Sequence, residues 1–434
     1  MTLPGANSFA SRRPGRTPRF HCFSDGGFLP KAATMRTMSD VRFMRLALGL
    51  ARRAYGLTSP NPMVGAVLVK GGQVIGRGWH RRAGLPHAEI EALHDAQKRG
   101  HNVKGATLYV TLEPCSTHGR TPPCTDAIIA AGIKRVIVGA LDPNPRHSGR
   151  AFKILRRAGI VIARWGEAAD EPRPGSRGRS PHQKLADECT QLNEAFNHWI
   201  VHRTPFVTVK AAMTLDGKTA TASGESKWIT GKPARAHGMQ LRQGADAILV
   251  GVNTILADDP ALTARRQMAD GRWQMGKPVR RIVLDSRART PRKAKVVRDE
   301  LAVLTTIVVG KHAPKNRVAA LSKRVHVIVA PAAKPLSRVT RHPSLDLRWL
   351  LKKLGSENVT RLLVEGGGEV NASFLLGGFA RRVAFYYAPK ILGGRDSLKA
   401  VAGEGAKNLM EALELYDVEW KQLGPDLLLT ARVA

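Results

Sequence analysis

Four residues of the types found in metal-dependent hydrolases are His87, Glu89, Cys115 and Cys124. One imidazole and two thiols are the three protein ligands of a catalytic zinc site, which leaves the fourth tetrahedral position to water. Water held by zinc ionises near neutral pH, so Glu89 could take its proton and later deliver it to a departing amine. A closed structural zinc site normally has four protein ligands. The pattern therefore predicts hydrolytic chemistry at zinc.

The spacing of these residues resembles the signature of the zinc nucleobase deaminases, H-x-E followed by P-C-x-x-C, in which the glutamate is not a ligand. Eight residues separate Cys115 from Cys124, where that signature has two. This longer form, which opens with Pro114-Cys115 and closes with Pro123-Cys124, is similar to that of the bifunctional deaminase/reductase family of riboflavin biosynthesis. The long loop also brings His118 near the metal as an alternative ligand to Cys124.

Two polar residues upstream resemble positions that contact the pyrimidine in that family. Asn61 lies in a loop, in Asn61-Pro62, and His80 follows a predicted strand. Taken alone, Asn61 would be an ordinary turn residue and His80 a surface imidazole. The resemblance implies that both line the pocket of the deaminase substrate.

The first half of the chain alternates between strand and helix patterns. Ser39 is a good helix N-cap, and apolar residues keep helical spacing from there to Gly56. Gly71-Gly72 predicts a hairpin between two strands. The order of elements implies a three-layer α/β domain. Strands are predicted at 64–69, 73–79, 107–112, 134–139 and 159–163, and further helices at 88–98, 124–132 and 150–158.

A second α/β pattern starts at Phe206. It has no G-x-G-x-x-G, so a Rossmann cofactor site is not supported. Residues 362–368 read as a strand that runs into three glycines at the start of a helix, where exposed amides can hold a phosphate. Many such turns need glycine only for geometry. Strands are predicted at 206–211, 246–251, 280–285, 304–309, 325–329, 360–365 and 382–388, and helices at 231–242, 315–323, 345–353 and 368–377.

Three stretches of this half, residues 210–218, 223–230 and 251–265, resemble the reductase domain of the riboflavin family. That domain is similar to dihydrofolate reductase in fold and uses NADPH. The resemblance implies that the cofactor is lined by Ala212 (through its backbone), Trp228, Thr254, Asp258, Ser286, Gly367 and Gly368. It implies that the substrate is lined by Ser226, Arg242, Leu262, Arg265 and Glu365.

The chemistry implied for the second half is hydride delivery to C1 of an opened ribosyl group, which depends mainly on how the nicotinamide is placed. Arg242 and Arg265 suit a ribose phosphate because a guanidinium can bind it bidentately. Lys210 or Glu365 could assist a proton transfer, and the sequence does not choose between them.

The predicted organisation follows from these patterns. A disordered basic extension covers 1–38, a zinc deaminase domain 39–168, a linker with a basic Pro/Gly insertion 169–202, and an NADPH-dependent reductase domain 203–434. The fold class is α/β, with an N-terminal three-layer cytidine-deaminase-like domain and a C-terminal dihydrofolate-reductase-like domain. No uncharged apolar run of about 18 residues occurs, so we expect no membrane span.

Net charge and cysteine content bound the partners. The charge of +35 is spread over both halves, and only 5% of residues are aromatic, whereas single-strand binding surfaces need aromatic platforms. We therefore expect phosphorylated substrates, with nucleic acid a less favoured partner and a homo-oligomer left open. Two of the four cysteines belong to the zinc pattern, which favours a reducing compartment, the cytoplasm, over a disulfide framework.

The sequence thus predicts a bifunctional enzyme of riboflavin synthesis with Zn²⁺ and NADPH as cofactors. Its first domain would deaminate 2,5-diamino-6-(5-phosphoribosylamino)pyrimidin-4(3H)-one, and its second would give 5-amino-6-(5-phosphoribitylamino)uracil. The main alternative is an RNA base-editing zinc deaminase with a basic nucleic-acid-binding surface. A degenerate protein with a structural zinc is disfavoured because all four residues of the zinc pattern are present.

Overall fold

The computed structural model describes residues 38–118, 122–165, 181–267, 272–333 and 345–434. The basic extension predicted at 1–38, apart from Met38, lies outside the described residues, as do residues 169–180 of the predicted linker. Among the described residues, no helix is both long and apolar enough to cross a membrane.

The first half is built on one five-stranded sheet. Its strands are β1 (Gly65–Lys70), β2 (Gln73–Trp79), β3 (Thr107–Val110), β4 (Arg135–Val138) and β5 (Val161–Arg164), and its helices are α1 (Met38–Arg52), α2 (Ala88–Lys98), α3 (Cys124–Ala130) and α4 (Arg150–Arg157). The spatial order is β2-β1-β3-β4-β5, with β1 antiparallel to its neighbours and the last three strands parallel. Helix α1 covers one face and α2, α3 and α4 the other, which gives the three predicted layers.

Two glycines of β2 set its distance from α2. A Cβ atom added to Gly76 would lie 2.4 Å from the carbonyl oxygen of Ala92, and one added to Gly78 would lie 2.2 Å from that of Ala88. No residue with a side chain permits this approach. The packing fixes the start of α2, and His87 immediately precedes that helix.

Residues 181–202 form two helices, α5 (Pro181–Leu192) and α6 (Glu194–His202), where the sequence predicted only part of a linker. Leu185 and Cys189 of α5 are buried in the same core as α1. Their i, i+4 spacing places both on one helix face. The Pro- and Gly-rich composition just before them obscured that signal.

The described part of the second half is built on a nine-stranded sheet and two short two-stranded sheets. Its strands are β6 (Phe206–Thr214), β7 (Lys218–Ala220), β8 (Ala247–Gly251), β9 (Arg265–Gln267), β10 (Trp273–Met275), β11 (Arg280–Leu284), β12 (Thr305–Gly310), β13 (His326–Ala330), β14 (Arg361–Val364), β15 (Arg382–Ala388), β16 (Leu398–Lys399), β17 (Leu415–Leu423) and β18 (Asp426–Val433). The helices are α7 (Lys232–Gly244), α8 (Val252–Asp258), α9 (Lys295–Arg298), α10 (Lys315–Ser322), α11 (Leu347–Ser356) and α12 (Gly368–Leu375).

The large sheet has the order β13-β12-β11-β8-β14-β6-β15-β18-β17, while β7 pairs with β16 and β9 with β10. Neighbours from β13 to β15 are parallel, and β18 is antiparallel to both β15 and β17. The strands and helices predicted for this half are present near their predicted positions. The C-terminal hairpin of β17 and β18 and the short two-stranded pairs were not predicted.

The chain changes direction across the sheet between the neighbours β8 and β14. After β8 it continues to β11, β12 and β13 on one side, and after β14 it passes to β15 on the other. Ligands of open α/β sheets bind in the crevice at the carboxyl ends of the strands at such a point. Helices α8 and α12 begin there.

Candidate active sites

His87, Cys115 and Cys124 come together in the first half. His87 precedes α2, Cys115 lies in the loop after β3, and Cys124 is the first residue of α3. The Nδ1 atom of His87 is 3.4 Å from the Cys115 Sγ and 3.3 Å from the Cys124 Sγ, and the three ligand atoms lie within 4.8 Å of one another. Bond lengths of about 2.3 Å to sulfur and about 2.0 Å to nitrogen give edges of roughly 3.5 Å in a tetrahedral site. The group therefore fits zinc.

The backbone around the two thiols prepares Cys115 as a ligand. Its Sγ accepts a hydrogen bond from the N–H of Cys124 at 3.2 Å. Hydrogen bonds from Cys124 and His87 lower the pKa of Cys115 to about 4, and the thiolate is the form that binds metals. His118, the alternative ligand, is exposed and does not belong to the group.

Glu89 lies in the first turn of α2, with only 3% of its surface exposed. Burial, followed by the negative charge of Cys115, raises the pKa of Glu89 to about 7. It also lies within hydrogen-bond reach of Cys124. A carboxyl group that titrates near neutral pH can both accept and release a proton.

Asn61 and His80 lie beside this group. The rings of His80 and His87 meet edge to face at 5.2 Å. The Nδ1 atom of His80 is 3.1 Å from the carbonyl oxygen of Pro86, and its Nε2 is 3.2 Å from the Asn61 Nδ2. Since a carbonyl only accepts, Nδ1 carries the proton and Nε2 accepts from Asn61. Burial lowers the pKa of His80 and so favours this neutral form.

Arg242 and Glu365 are joined directly in the second half. The Arg242 Nε and Nη2 atoms donate to the two carboxylate oxygens of Glu365, both at 2.8 Å, and Nη1 donates to the Thr263 carbonyl at 3.2 Å. The bidentate face predicted to bind phosphate is therefore already filled. Lys210 lies beside Glu365, because Val209 and Val364 pair across β6 and β14, and burial lowers the pKa of Lys210.

The other residues predicted for the reductase substrate differ in exposure. Leu262 is buried in the core, so its side chain is not available to a ligand. Arg265 is exposed, and its carbonyl oxygen accepts from the Gln243 side chain at 2.7 Å. Ser226 is half-buried in the loop before α7.

Four of the predicted cofactor residues lie beyond the carboxyl ends of neighbouring strands. Thr254 is in α8 after β8, Ser286 follows β11, and Gly367-Gly368 open α12 after β14. A Cβ atom on Gly368 would lie 2.4 Å from the carbonyl oxygen of Lys399, whereas one on Gly367 would meet nothing within 4 Å. Gly368 is thus required for close packing, and Gly367 presents open backbone.

The remaining predicted cofactor residues lie elsewhere. Asp258 ends α8 and pairs with Lys227 at 3.0 Å, which ties the 226–228 loop to that helix. Trp228 is 65% exposed, with the Arg235 guanidinium 4.4 Å from its ring centre. Ala212 instead packs in a small core cluster on β6.

Sequence reasoning missed Glu113 as a positioning group. Its carboxylate accepts hydrogen bonds from the N–H groups of Asp142 (3.3 Å), Gly149 (3.0 Å) and Ala151 (3.1 Å). It thereby holds the loop before α4 next to the loop after β3, which carries Cys115. An acidic residue at the end of a buried strand, two before Cys115, was the available signal.

A cavity of about 840 Å³ lies on the α7 side of the second sheet, lined in part by Tyr55, Leu241 and Trp420. Its size suits a small molecule. None of the predicted site residues lines it, so it is not part of either candidate site.

Two family models match the chain. The cytidine and deoxycytidylate deaminase zinc-binding region matches residues 37–140, and the RibD C-terminal domain matches residues 205–429. The chain is 40% identical to riboflavin biosynthesis protein RibD of Actinobacillus pleuropneumoniae over 91% of this chain and 96% of that protein. It is 42% identical to the protein of the same name from Aquifex aeolicus over 90% and 97% of the two chains.

Solved structures agree. RibD of Acinetobacter baumannii superposes with a TM-score of 0.73 at 32% identity, over 91% of this chain and 99% of that one. A diaminohydroxyphosphoribosylaminopyrimidine deaminase/5-amino-6-(5-phosphoribosylamino)uracil reductase from Thermotoga maritima gives 0.70 at 32% identity, over 91% and 98%. The predicted fold class, a cytidine-deaminase-like domain followed by a dihydrofolate-reductase-like domain, is confirmed.

Proposed function

Because the chain belongs to the RibD family of riboflavin biosynthesis proteins, we propose that it acts on 2,5-diamino-6-(5-phosphoribosylamino)pyrimidin-4(3H)-one and then reduces the deaminated product. The chain is a bifunctional deaminase and reductase that uses zinc in its first half and NADPH in its second. The gathering of His87, Cys115 and Cys124 beside a buried Glu89 is the observation that carries the deaminase assignment.

In the deaminase site, His87, Cys115 and Cys124 are proposed to hold zinc, which supplies an activated water when bound. The Glu89 carboxylate accepts a proton from the attacking water. It then donates that proton to the exocyclic nitrogen as the carbon–nitrogen bond breaks and ammonia leaves. Burial of Glu89 raises its pKa, which helps the carboxyl group to hold the proton between the two steps.

Asn61 and His80 are proposed to bind the pyrimidine. His80 is neutral and anchored to Pro86, so its Nε2 orients the Asn61 amide through the 3.2 Å contact. The Asn61 side-chain oxygen is then directed as an acceptor for an N–H group of the ring. With this acceptor in place, the site would favour a pyrimidine that carries amino groups.

In the reductase site, NADPH supplies the hydride that is added at C1 of the opened ribosyl chain, giving the ribityl product. The proposed cofactor residues are Thr254, Ser286, Gly367 and Gly368, beyond the carboxyl ends of β8, β11 and β14, together with Ala212, Trp228 and Asp258. The proposed substrate residues are Ser226, Arg242, Arg265 and Glu365, with Leu262 acting through its backbone.

Lys210 is proposed to supply the proton that reduction requires. Glu365 is held ionised, because Arg242 and Lys210 outweigh the effect of burial and lower its pKa to about 2. It therefore cannot act as the acid near neutral pH. Lys210 lies beside it, and burial lowers the pKa of Lys210, which makes its ammonium group a stronger acid. The proton would go to the substrate nitrogen bonded to C1, which receives the electron pair of the carbon–nitrogen double bond when hydride adds to C1.

A two-stage assay tests the proposal. Purified, zinc-loaded protein is given the diaminopyrimidinone ribotide, and ammonia release and then NADPH absorbance are followed. Ammonia followed by NADPH loss is the expected result. Ammonia without NADPH loss would contradict the reductase substrate, and no ammonia would contradict the deaminase substrate.

RNA editing, the alternative function, is not favoured, because both halves match one metabolic family over about 90% of the chain. It predicts RNA binding that weakens steeply as salt is added. We expect negligible binding of oligoribonucleotides at physiological salt.

We also propose that the chain is a homo-oligomer that associates through the C-terminal hairpin. Strand β17 is exposed along almost its whole length and presents Tyr416 (48% exposed), Val418 (47%) and Trp420 (59%). A group of apolar side chains on one edge strand is typical of an interaction surface. Light scattering of the wild type and of Trp420→Asp should show a larger mass for the wild type.

The predicted domain limits are 39–168 and 203–434, and we propose that the first domain extends through α5, because Leu185 and Cys189 pack in its core. Limited proteolysis should then leave α5 attached to the first domain. The proposed location is the cytoplasm. It is supported by Cys115, Cys124 and Cys189, which form no disulfide with one another; thiolates that bind a metal and an unpaired buried thiol are typical of a reducing compartment.

A further inference from the structure

One carboxylate of the second half holds a loop of the first. Ser59 Oγ donates to Asp246 Oδ2 at 2.8 Å. The same oxygen accepts from the N–H and hydroxyl of Thr360, at 2.9 and 2.8 Å, and from the N–H of Arg361 at 3.1 Å. Lys277 Nζ lies 3.3 Å from Oδ1. With this many partners, Asp246 is a fixed acceptor.

The held loop is anchored again four residues later. Asn193, between α5 and α6, accepts from the Met63 N–H at 2.8 Å and donates to the Met63 carbonyl at 2.9 Å. Asn61 lies between the two anchors, Ser59 and Met63. Its side chain is the one that contacts His80 in the pocket beside the metal group.

The two halves approach closely at this point. A Cβ atom on Gly56 would lie 2.0 Å from the carbonyl oxygen of Gln243, and one on Gly244 would lie 2.1 Å from the Tyr55 hydroxyl. The end of α7 is therefore packed directly against the loop that leads to Asn61. Such packing leaves the Ser59 hydrogen bond little freedom to adjust.

We propose that Asp246 is a positioning residue for the deaminase pocket and that, through Ser59, it fixes Asn61 in the conformation that binds the pyrimidine. The reductase half thereby completes substrate binding in the deaminase half. The inference rests on the proposed role of Asn61. When the bond is absent, the loop must be ordered at the moment of binding, which weakens substrate affinity. Because neither Glu89 nor the metal group is touched, the effect falls on KM.

Ser59→Ala in the full chain tests this inference. Loss of one hydrogen bond to a carboxylate is expected to raise the KM of deamination roughly fivefold, with kcat and bound zinc unchanged. The KM of reduction, measured with the deaminated ribotide supplied directly, should stay within about twofold. Ser59→Thr, which keeps the hydroxyl, should restore the wild-type KM. The matched control is Ser356→Ala, whose hydroxyl donates to the Lys353 carbonyl at an exposed helix end.

An unchanged KM of deamination in Ser59→Ala would overturn the inference. So would an equal loss of both activities together with a lowered melting temperature, because this is the result of a purely structural role. Failure of the proposed function would look different: the wild type itself would release no ammonia.

Discussion

Arg242 and Glu365 form a bidentate ion pair, with Nε to Oε1 and Nη2 to Oε2 distances of 2.8 Å. Only 15% and 11% of the two side chains are exposed. The resemblance implied that both residues line the substrate and that Arg242 and Arg265 suit its phosphate. Because the bidentate face of Arg242 is occupied, Arg265, which is exposed, is the better candidate to contact the phosphate.

Glu365→Gln should impair reduction and leave deamination unchanged. Removing one partner of a buried pair leaves the Arg242 charge uncompensated, which costs about 3–5 kcal/mol of stability. Reductase kcat/KM should fall on the order of 100-fold, since a loss of about 3 kcal/mol of transition-state stabilisation has that effect. NADPH oxidation and urea unfolding measure the two effects. Glu369→Gln, at an exposed position in α12, is the control, and equal behaviour of the two variants would contradict the prediction.

The stability that Glu365 confers should depend on pH. Burial alone would raise its pKa, but Arg242 and Lys210 outweigh burial and lower it from 4.5 to about 2. A carboxyl whose pKa is lower in the folded state stabilises the fold above its unfolded pKa, and this contribution is lost as pH falls toward the folded value. The stability advantage of wild type over Glu365→Gln should therefore be constant above about pH 5 and shrink below about pH 4.5, by on the order of 3 kcal/mol at pH 2. An advantage that is the same at pH 7 and pH 3 would contradict this.

The residues of the deaminase site were easier to predict from the sequence than those of the reductase site, because they lie close together along the chain. His87 and Glu89 are two residues apart, Cys115 follows in the loop after the next strand, and Cys124 begins the next helix, so spacing alone nearly dictates their grouping. The main strands and helices of both halves were also predicted, because buried strands and amphipathic helices alternate with clear periods.

Contacts between residues far apart along the chain could not be predicted from the sequence. The Arg242–Glu365 pair joins residues 123 positions apart, and the Ser59–Asp246 bond joins residues 187 apart. No local pattern marks Asp246 as different from any acidic residue before a strand. Strand β17 was missed because it is exposed on both faces, and a strand without a buried face shows no alternation of apolar and polar residues.

Glu89→Gln should leave zinc bound and reduce deamination at least about 100-fold, because the amide cannot accept and return a proton. The control is Glu91→Gln on the same helix, where Glu91 pairs with Arg81 at 3.2 Å. Ammonia release and zinc content are measured on both variants. Wild-type deamination by Glu89→Gln would remove the role assigned to this residue.

Loss of the metal should separate the two activities. Cys124→Ser replaces a soft thiolate ligand by a hydroxyl, which binds zinc far more weakly. Only His87 and Cys115 then remain as strong ligands of the group. Zinc per chain and ammonia release should both fall to near background. NADPH oxidation with the deaminated ribotide should persist, because the residues proposed for the reductase site all lie in the second half of the chain.

Cys189→Ala provides the matched control for a lost cysteine. Cys189 is buried, and burial raises its pKa to about 12, so it stays a neutral thiol outside the metal group. Its replacement should leave zinc content unchanged. Full zinc occupancy in Cys124→Ser would instead point to His118 as the third ligand, and the double variant with His118→Ala would then lose the metal. A chelator added to the wild type should reproduce the Cys124→Ser result, with ammonia release restored when zinc is returned.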